Sequence, residues 1–260
     1  MSSTLFDVAE EDRRERSWRA GPVRVRVTLP PGRPGARERK EPLTTERIVD
    51  AAFALMARDG YDSVSMRSLA RELDTGPASL YAHIANKDEL DQYVVDRISA
   101  MLEVPAPDPE RWQDQLKEVL RNTLQLYRQH PGAARAAMGT IPTMEGGLGA
   151  AEGIMAIALA GGVSPQAAAW FCDLAAAYVG AVAYEETIWI ARQNSTAAGE
   201  DPDHEAIDDQ LREVMESMAD RFPLMHRYAK EMTSGDGDDR FEFGIDVLVN
   251  GLAAVSETYR

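Results

Sequence analysis

From Thr44 to the C-terminus the apolar residues recur with the period of an α-helix, and no run of any length alternates with the period of a strand. Ile48, Ala51, Ala52, Leu55 and Met56 follow i, i+3, i+4, i+7, i+8 spacing, one apolar face of a helix. Thr44 stands where a cap is needed and Gly60 where the helix must stop. Trp112, Leu116, Val119, Leu120, Leu124 and Tyr127 repeat the pattern over 111–130, until His130-Pro131-Gly132 breaks it. Segments 148–160 and 165–193 are apolar on more than one face. Leu211, Val214, Met215, Met218 and Phe222 form a further amphipathic face, and 241–255 a last apolar helix after a polar break at 234–239. The stretch 194–209 (NSTAAGEDPDHEAIDD) reads as a solvated acidic loop. A chain of this kind buries its apolar surface by packing helix on helix, so the expected fold class is all-α.

Three segments differ in texture. Residues 1–42 are rich in Arg, Pro and Gly and read as a flexible N-terminal arm, with one short alternation, Val23–Val27, that suits a strand. Two readings of this arm stay open: a disordered tail, or a basic arm that reaches a DNA groove with Arg33, Arg37, Arg39 and Lys40. Residues 43–104 form a second segment, closed by the VPAPDPE run at 104–110, and 105–260 a third. Net charge is −15, divided as +3, −5 and −13 over 1–42, 43–105 and 106–260. Any contact with nucleic acid must therefore come from a few placed groups and helix N-termini, not from a broad positive field. The single Cys172 excludes an intrachain disulfide and fits a reducing, cytoplasmic setting; the first residues lack the apolar core of a signal peptide. The longest apolar stretch, Ala167–Ile190, carries Asp173, Glu185 and Glu186, so a buried helix and no membrane partner is expected there.

Ser65–Ile84 concentrates the functional signal. Two short helices, Ser65–Leu73 and Pro77–Ile84, meet across Asp74-Thr75-Gly76, the layout of a helix-turn-helix. Leu69 with Leu73, and Leu80 with Ile84, are i, i+4 pairs suited to the core, and Ala70 is small where the second helix must approach. Pro77 suits the first helical position, where its missing N–H costs nothing. Ala78, Ser79, Ala82 and His83 are then left to point outward, small or polar as a helix entering a major groove requires. Asn86, with Glu89 three residues on, reads as a capping box that opens the next helix, which is expected to run to about Leu102.

On these residues the run from Thr45 to about Leu102 resembles the DNA-binding domain of the TetR family. Gly60-Tyr61, Ser63 and Ser65, Leu69-Ala70, Leu80-Tyr81-Ala82-His83 and Asn86-Lys87-Asp88-Glu89-Leu90 carry the family pattern. The resemblance implies a regulator that binds double-stranded DNA as a homodimer at a near-palindromic operator. It implies that Arg67 meets a base edge or phosphate and that Pro77, Ala78 and Ser79 lie against bases. Tyr81 would donate to a phosphate, His83 would position the helix or reach a base, and Lys87 would pair with phosphate.

Trp112-Gln113-Asp114, His130-Pro131-Gly132, Gly139-Thr140-Ile141-Pro142 and the closing run Phe241–Leu248 are similar to the ligand domain of the tetracycline-repressor branch. That likeness implies a pocket for a small-molecule effector lined by Leu102, Thr123, Ala137, Met138, Thr140, Ile141 and Tyr178. It also implies a dimer bundle formed by 165–193 and 241–258, through Trp170, Leu174, Val182, Phe241, Ile245, Leu248 and Leu252. The departures are as informative. Where the branch has a metal-binding histidine this chain has Ala137, and Ser99 and Val119 replace polar drug contacts. No cofactor and no metal is therefore expected, and tetracycline is not the expected signal. No zinc spacing, GxSxG or HExxH occurs, and Gly146-Gly147-Leu148-Gly149 follows no strand, so no enzyme is expected. The competing reading is a helical small-molecule-binding protein without DNA recognition, favoured by the acidic balance of 43–105.

Overall fold

Thr44 caps the first helix through its hydroxyl oxygen, which accepts from the Arg47 N–H at 3.3 Å, and the Gly60 N–H returns to the Met56 carbonyl to close it. Gly60 stands at φ +80°, a conformation that side chains beyond glycine rarely adopt. The computed structural model describes residues 41–195 and 204–259, and every regular element among them is helical. The N-terminal arm, including Val23–Val27 and the four basic residues Arg33, Arg37, Arg39 and Lys40, lies outside the described residues.

In chain order the helices are α1 (Thr45–Asp59), α2 (Met66–Glu72), α3 (Pro77–Leu80), α4 (Lys87–Ala100), α5 (Trp112–Gln129), α6 (Ala133–Ala137), α7 (Glu145–Ala160), α8 (Pro165–Ser195), α9 (His204–Ser217), α10 (Pro223–Arg227), α11 (Ala229–Met232) and α12 (Gly237–Val255). Leu43–Arg260 form one compact unit built on two apolar cores. The first joins α1–α4 through Ile48, Leu55, Leu69, Leu80, Ile84, Leu90 and Val94. The second joins α5, α7, α8 and α12 through Leu116, Val119, Ile157, Phe171, Val179, Ile245 and Val249. The first core does not stop at residue 104: Ala133 and Ala136 of α6 are buried in it, and Tyr127 of α5 packs against both.

Four local expectations are corrected. α3 is a single helical turn, Pro77–Leu80, rather than a helix to Ile84, although the Ile84 N–H still reaches the Leu80 carbonyl at 2.9 Å. α4 ends at Ala100 rather than Leu102. The expected acidic loop is helical from His204, and 196–203 lie outside the described residues. The face of Leu211, Val214, Met218 and Phe222 is exposed rather than buried, because α9 packs mainly on the short α10 and α11.

α8 is long and apolar enough to cross a bilayer by length and composition. Here Ala168, Phe171, Ala175, Val179 and Ala183 sit in the second core, and Glu186 takes both ends of a fork from Arg128 at 2.7 and 2.9 Å. α5 and α12 run antiparallel with charges in register: Lys117 with Asp246 at 2.5 Å, Arg121 with Glu242 at 2.6 Å, Arg128 with Asp238 at 2.5 Å. Pairs this exposed contribute roughly 0–1 kcal/mol each, so they align the two helices more than they hold them together.

The junction of the two cores is held by polar groups. Asp96 of α4 accepts from the Gly146 N–H at 2.6 Å and the Gly147 N–H at 3.2 Å, capping α7, whose own cap residue Met144 supplies no side-chain bond. Glycine at 146 permits this approach: a Cβ there would lie 2.3 Å from the Asp96 carbonyl oxygen. Asp96→Ala is expected to lower the unfolding free energy by about 1–3 kcal/mol, the cost of stranding those N–H groups. Gly146→Ala is expected to cost a similar amount by overpacking, roughly 1–3 kcal/mol. Urea denaturation at fixed protein concentration checks both; midpoints equal to wild type would contradict the account.

Candidate nucleic-acid interface and effector wall

The helix-turn-helix is built by short-range bonds. Ser65 and Ser68 cap α2 reciprocally, with the Ser68 N–H on Ser65 Oγ at 3.1 Å and the Ser65 N–H on Ser68 Oγ at 2.8 Å. Arg58 of α1 grips Glu72 of α2 with two nitrogens, at 3.1 and 3.3 Å. The turn is made by Asp74, at φ +47°, with the Thr75 N–H on the Ala70 carbonyl at 2.8 Å. Gly76 is extended at φ −84° and caps α3 through its backbone position alone, so the turn does not use its freedom as a glycine.

Pro77 opens α3 as expected, and Leu80 and Ile84 are buried at 0% and 1% exposure. That backing leaves Pro77, Ala78, Ser79, Tyr81, Ala82 and His83 exposed on one short surface, with Arg67 of α2 exposed as well. Tyr81 is 54% exposed. Asn86 caps α4 by accepting from the Glu89 N–H at 2.8 Å, but Glu89 reaches back to the Ala85 N–H rather than to Asn86, so the capping box is shifted by one residue.

Lys87 departs from expectation. Its ammonium is turned inward, 2.5 Å from Asp91 Oδ1 and 3.9 Å from the centroid of the Tyr61 ring. Burial, followed by the bond it donates to Asp91, pushes the Tyr61 hydroxyl above the ordinary tyrosine range.

The expected effector wall is only partly assembled. Ala137, at the end of α6, is half-buried, and Leu102 packs on the second core. Thr123 and Thr140 are half-buried, but each hydroxyl donates to a carbonyl of its own turn, Val119 at 2.8 Å and Ala136 at 2.7 Å, which spends the donor. Met138 and Ile141 are exposed, Ile141 at 76%. Tyr178 belongs to a different neighbourhood: its ring stacks on Phe241 at 5.8 Å and its hydroxyl reaches the Arg240 and Phe241 carbonyls at 3.4 Å. Gly244 makes that room, since a Cβ there would lie 1.8 Å from the Tyr178 hydroxyl.

The expected dimer face needs the larger correction. Phe241, Ile245 and Leu252 are 4%, 0% and 5% exposed and are spent on the subunit's own core. The outward stripe of α12 is Phe243, Val247 and Val255, with Leu248 half-buried beside it. On α8 Trp170 and Leu174 are exposed as expected, and Val182 is half-buried. Between the two helices runs an apolar groove of about 270 Å³, whose walls include Trp170, Leu174, Val247, Leu248 and Val255. None of the seven residues expected to line the effector pocket borders it.

Among the described residues no three metal-ligating side chains converge. Cys172 is half-buried and bonds the Ala151 carbonyl at 3.7 Å, and burial pushes its thiol up to about 11. Its alkylation by iodoacetamide is expected to be slow at about pH 8 and to rise tenfold per pH unit well past the plateau of an ordinary thiol, near about 8.5. A rate profile that levels near that value would contradict the burial.

With this geometry in hand, comparison with known proteins identifies the class. Residues 48–94 match the family described as bacterial regulatory proteins, tetR family, and residues 104–256 match the tetracyclin repressor-like C-terminal domain. The chain belongs to the TetR family: it is a ligand-responsive, DNA-binding transcriptional regulator and not an enzyme. It is 29% identical over 227 residues to the HTH-type transcriptional repressor DrrR1 of Streptomyces coeruleorubidus, covering 85% of this chain and 81% of the relative. Among solved structures it is similar to apo ActR from Streptomyces coelicolor, with 36% identity, a TM-score of 0.72, and coverage of 85% of this chain and 99% of that one. It is equally similar to ActR in complex with actinorhodin, with 36% identity, a TM-score of 0.72, and coverage of 83% and 97%. The reading of a helical binding protein without DNA recognition is thereby set aside.

Proposed function

We propose that the protein represses transcription as a homodimer that places two helix-turn-helix heads on a near-palindromic operator, in the cytoplasm and apart from any membrane, and leaves DNA when a small molecule binds its C-terminal helices. One observation carries the reading of the head: Ala78, Ser79, Tyr81, Ala82 and His83 stand together on a surface whose underside, Leu80 and Ile84, is fully buried. A rigid backing with small outward groups lets the backbone approach base edges closely. In this reading Ser79 hydrogen-bonds to a base, Pro77 and Ala78 meet a thymine methyl, and Arg67, Tyr81 and His83 bond phosphate or base. Lys87 is left out of the contact set in the conformation described. An operator selected from random sequence should be bound by wild type, and Ser79→Arg with Tyr81→Ala should weaken it by about 1–3 kcal/mol per contact, roughly ten- to hundredfold each. Failure to select any sequence would remove the reading.

The exposed faces of α8 and α12 support association of two copies: Trp170, Leu174, Phe243 and Val247 are large apolar side chains left exposed, the kind of surface a partner copy covers. Leu174→Arg with Val247→Arg is expected to give a monomer by analytical ultracentrifugation, while a variant that stays dimeric would move the interface elsewhere. For the effector, ActR is a relative of 36% identity solved with actinorhodin, which is the first compound to test. The half-buried wall of Leu102, Thr123, Ala137 and Thr140 favours a mostly apolar molecule. Addition of actinorhodin is expected to release the selected operator; unchanged operator affinity would leave repression standing and exclude this compound.

A further inference from the structure

Two groups close on one cation where α4 leaves the DNA-reading surface. Lys87 Nζ lies 2.5 Å from Asp91 Oδ1 and 3.9 Å above the Tyr61 ring. The Tyr61 hydroxyl donates to the other carboxylate oxygen, Asp91 Oδ2, at 2.5 Å. Asp91 is 8% exposed, so both of its oxygens are bound inside the protein. The ring that completes the enclosure is held in turn by Arg135 of α6, whose guanidinium lies 5.9 Å from the Tyr61 centroid and 5.1 Å from that of Tyr184 on α8.

The chemistry of this cluster bears on DNA affinity. A lysine neutralises a phosphate, and releases the counterion condensed there, only when its charge is free. Here the charge is cancelled by a buried carboxylate four residues along the same helix. Withdrawing Lys87 would leave Asp91 charged, buried and short of its cation, which is strongly unfavourable. A face-on aromatic ring adds a second attraction in the same direction. Asp88, one residue from Lys87, is exposed and has no such arrangement, so the pairing is specific to Asp91.

We infer that Asp91 and Tyr61 form a latch that withholds Lys87 from the DNA backbone, so that Asp91 sets the affinity of the head by denying it one phosphate contact per subunit. The inference rests on the DNA-binding reading given above and names a residue that weakens, rather than makes, that contact. A head tuned down in this way binds every duplex less tightly, operator and non-operator alike, and so is easier to displace.

The test is the salt dependence of binding to a labelled duplex without operator, and to the selected operator, using the full chain. Lys87→Met in the wild-type background is expected to leave the slope of log K against log salt unchanged. Asp91→Asn, which keeps the shape and can still accept from Tyr61, is expected to steepen the slope by about 0.9 per subunit, the value for one phosphate neutralised. The double variant Asp91→Asn with Lys87→Met is expected to return to the wild-type slope. That separates a freed lysine from the general effect of deleting a negative charge. A flatter slope in Lys87→Met alone would show Lys87 already on phosphate and overturn the latch, whether or not Asp91→Asn folds. An unchanged slope in folded Asp91→Asn, or a steep slope that persists in the double variant, would overturn it equally. If wild type binds neither duplex at low salt, the DNA-binding reading itself fails and the latch with it.

Discussion

α4 closes the first core and also holds the start of α7, and the Asp96 carboxylate is what joins the two. Leu90, Val94 and Ile98 complete the core under the helix-turn-helix. The same helix turns Asp96 to the first N–H groups of α7, and its Arg97 side chain pairs with Asp50 of α1. A helix start buried without a cap is costly, since its first N–H groups have no partner within the helix. α7 has no capping side chain of its own, so its start is tied to α4 rather than to its own loop. The helix-turn-helix and the start of α7 thus share one element, α4.

The charge of the chain is arranged with the same logic. Overall it is strongly acidic, yet the acids near structural cations are used. Glu242 and Asp246 meet Arg121 and Lys117 across the α5–α12 seam, and Glu186 and Asp238 share Arg128. In the head, Glu72 holds Arg58, Asp91 holds Lys87 and Asp50 holds Arg97, so three of its few cations serve the fold. What faces outward from α3 is small and mostly uncharged. In the proposed reading, recognition depends on fit and hydrogen bonding at a close-approaching backbone, with little long-range attraction behind it.

Much of the head was legible in the chain because its signals are local. Thr44, Ser65 and Pro77 act within three or four residues of themselves, and each performs the capping or opening role its position suggests. The burial of Leu80 and Ile84 followed from i, i+4 spacing alone. The misreadings fall where two answers fit the local pattern. In the turn Asp74-Thr75-Gly76 the glycine is the residue suited to positive φ, but Asp74 takes it, as Asp sometimes does. Lys87 opens a helix where a phosphate contact is expected, yet a partner one turn along and a ring twenty-six residues earlier claim it.

By itself the sequence determined the helical class, the helix starts, the buried side of each amphipathic helix in the head and the membership of the TetR family. Those features depend on periodicity and on contacts a few residues apart. Tertiary structure alone decided which apolar side of α8 and α12 faces inward. By sequence Phe241, Ile245 and Leu252 suit an outer face, yet they are core, while Phe243 and Val247 stand outside. A helix with apolar residues on more than one face carries no single internal label for its buried side, so its orientation is set by the helices packed against it. The same holds for Asp91 and Lys87: their pairing is local, but the Tyr61 ring that completes the enclosure is brought there only by the fold.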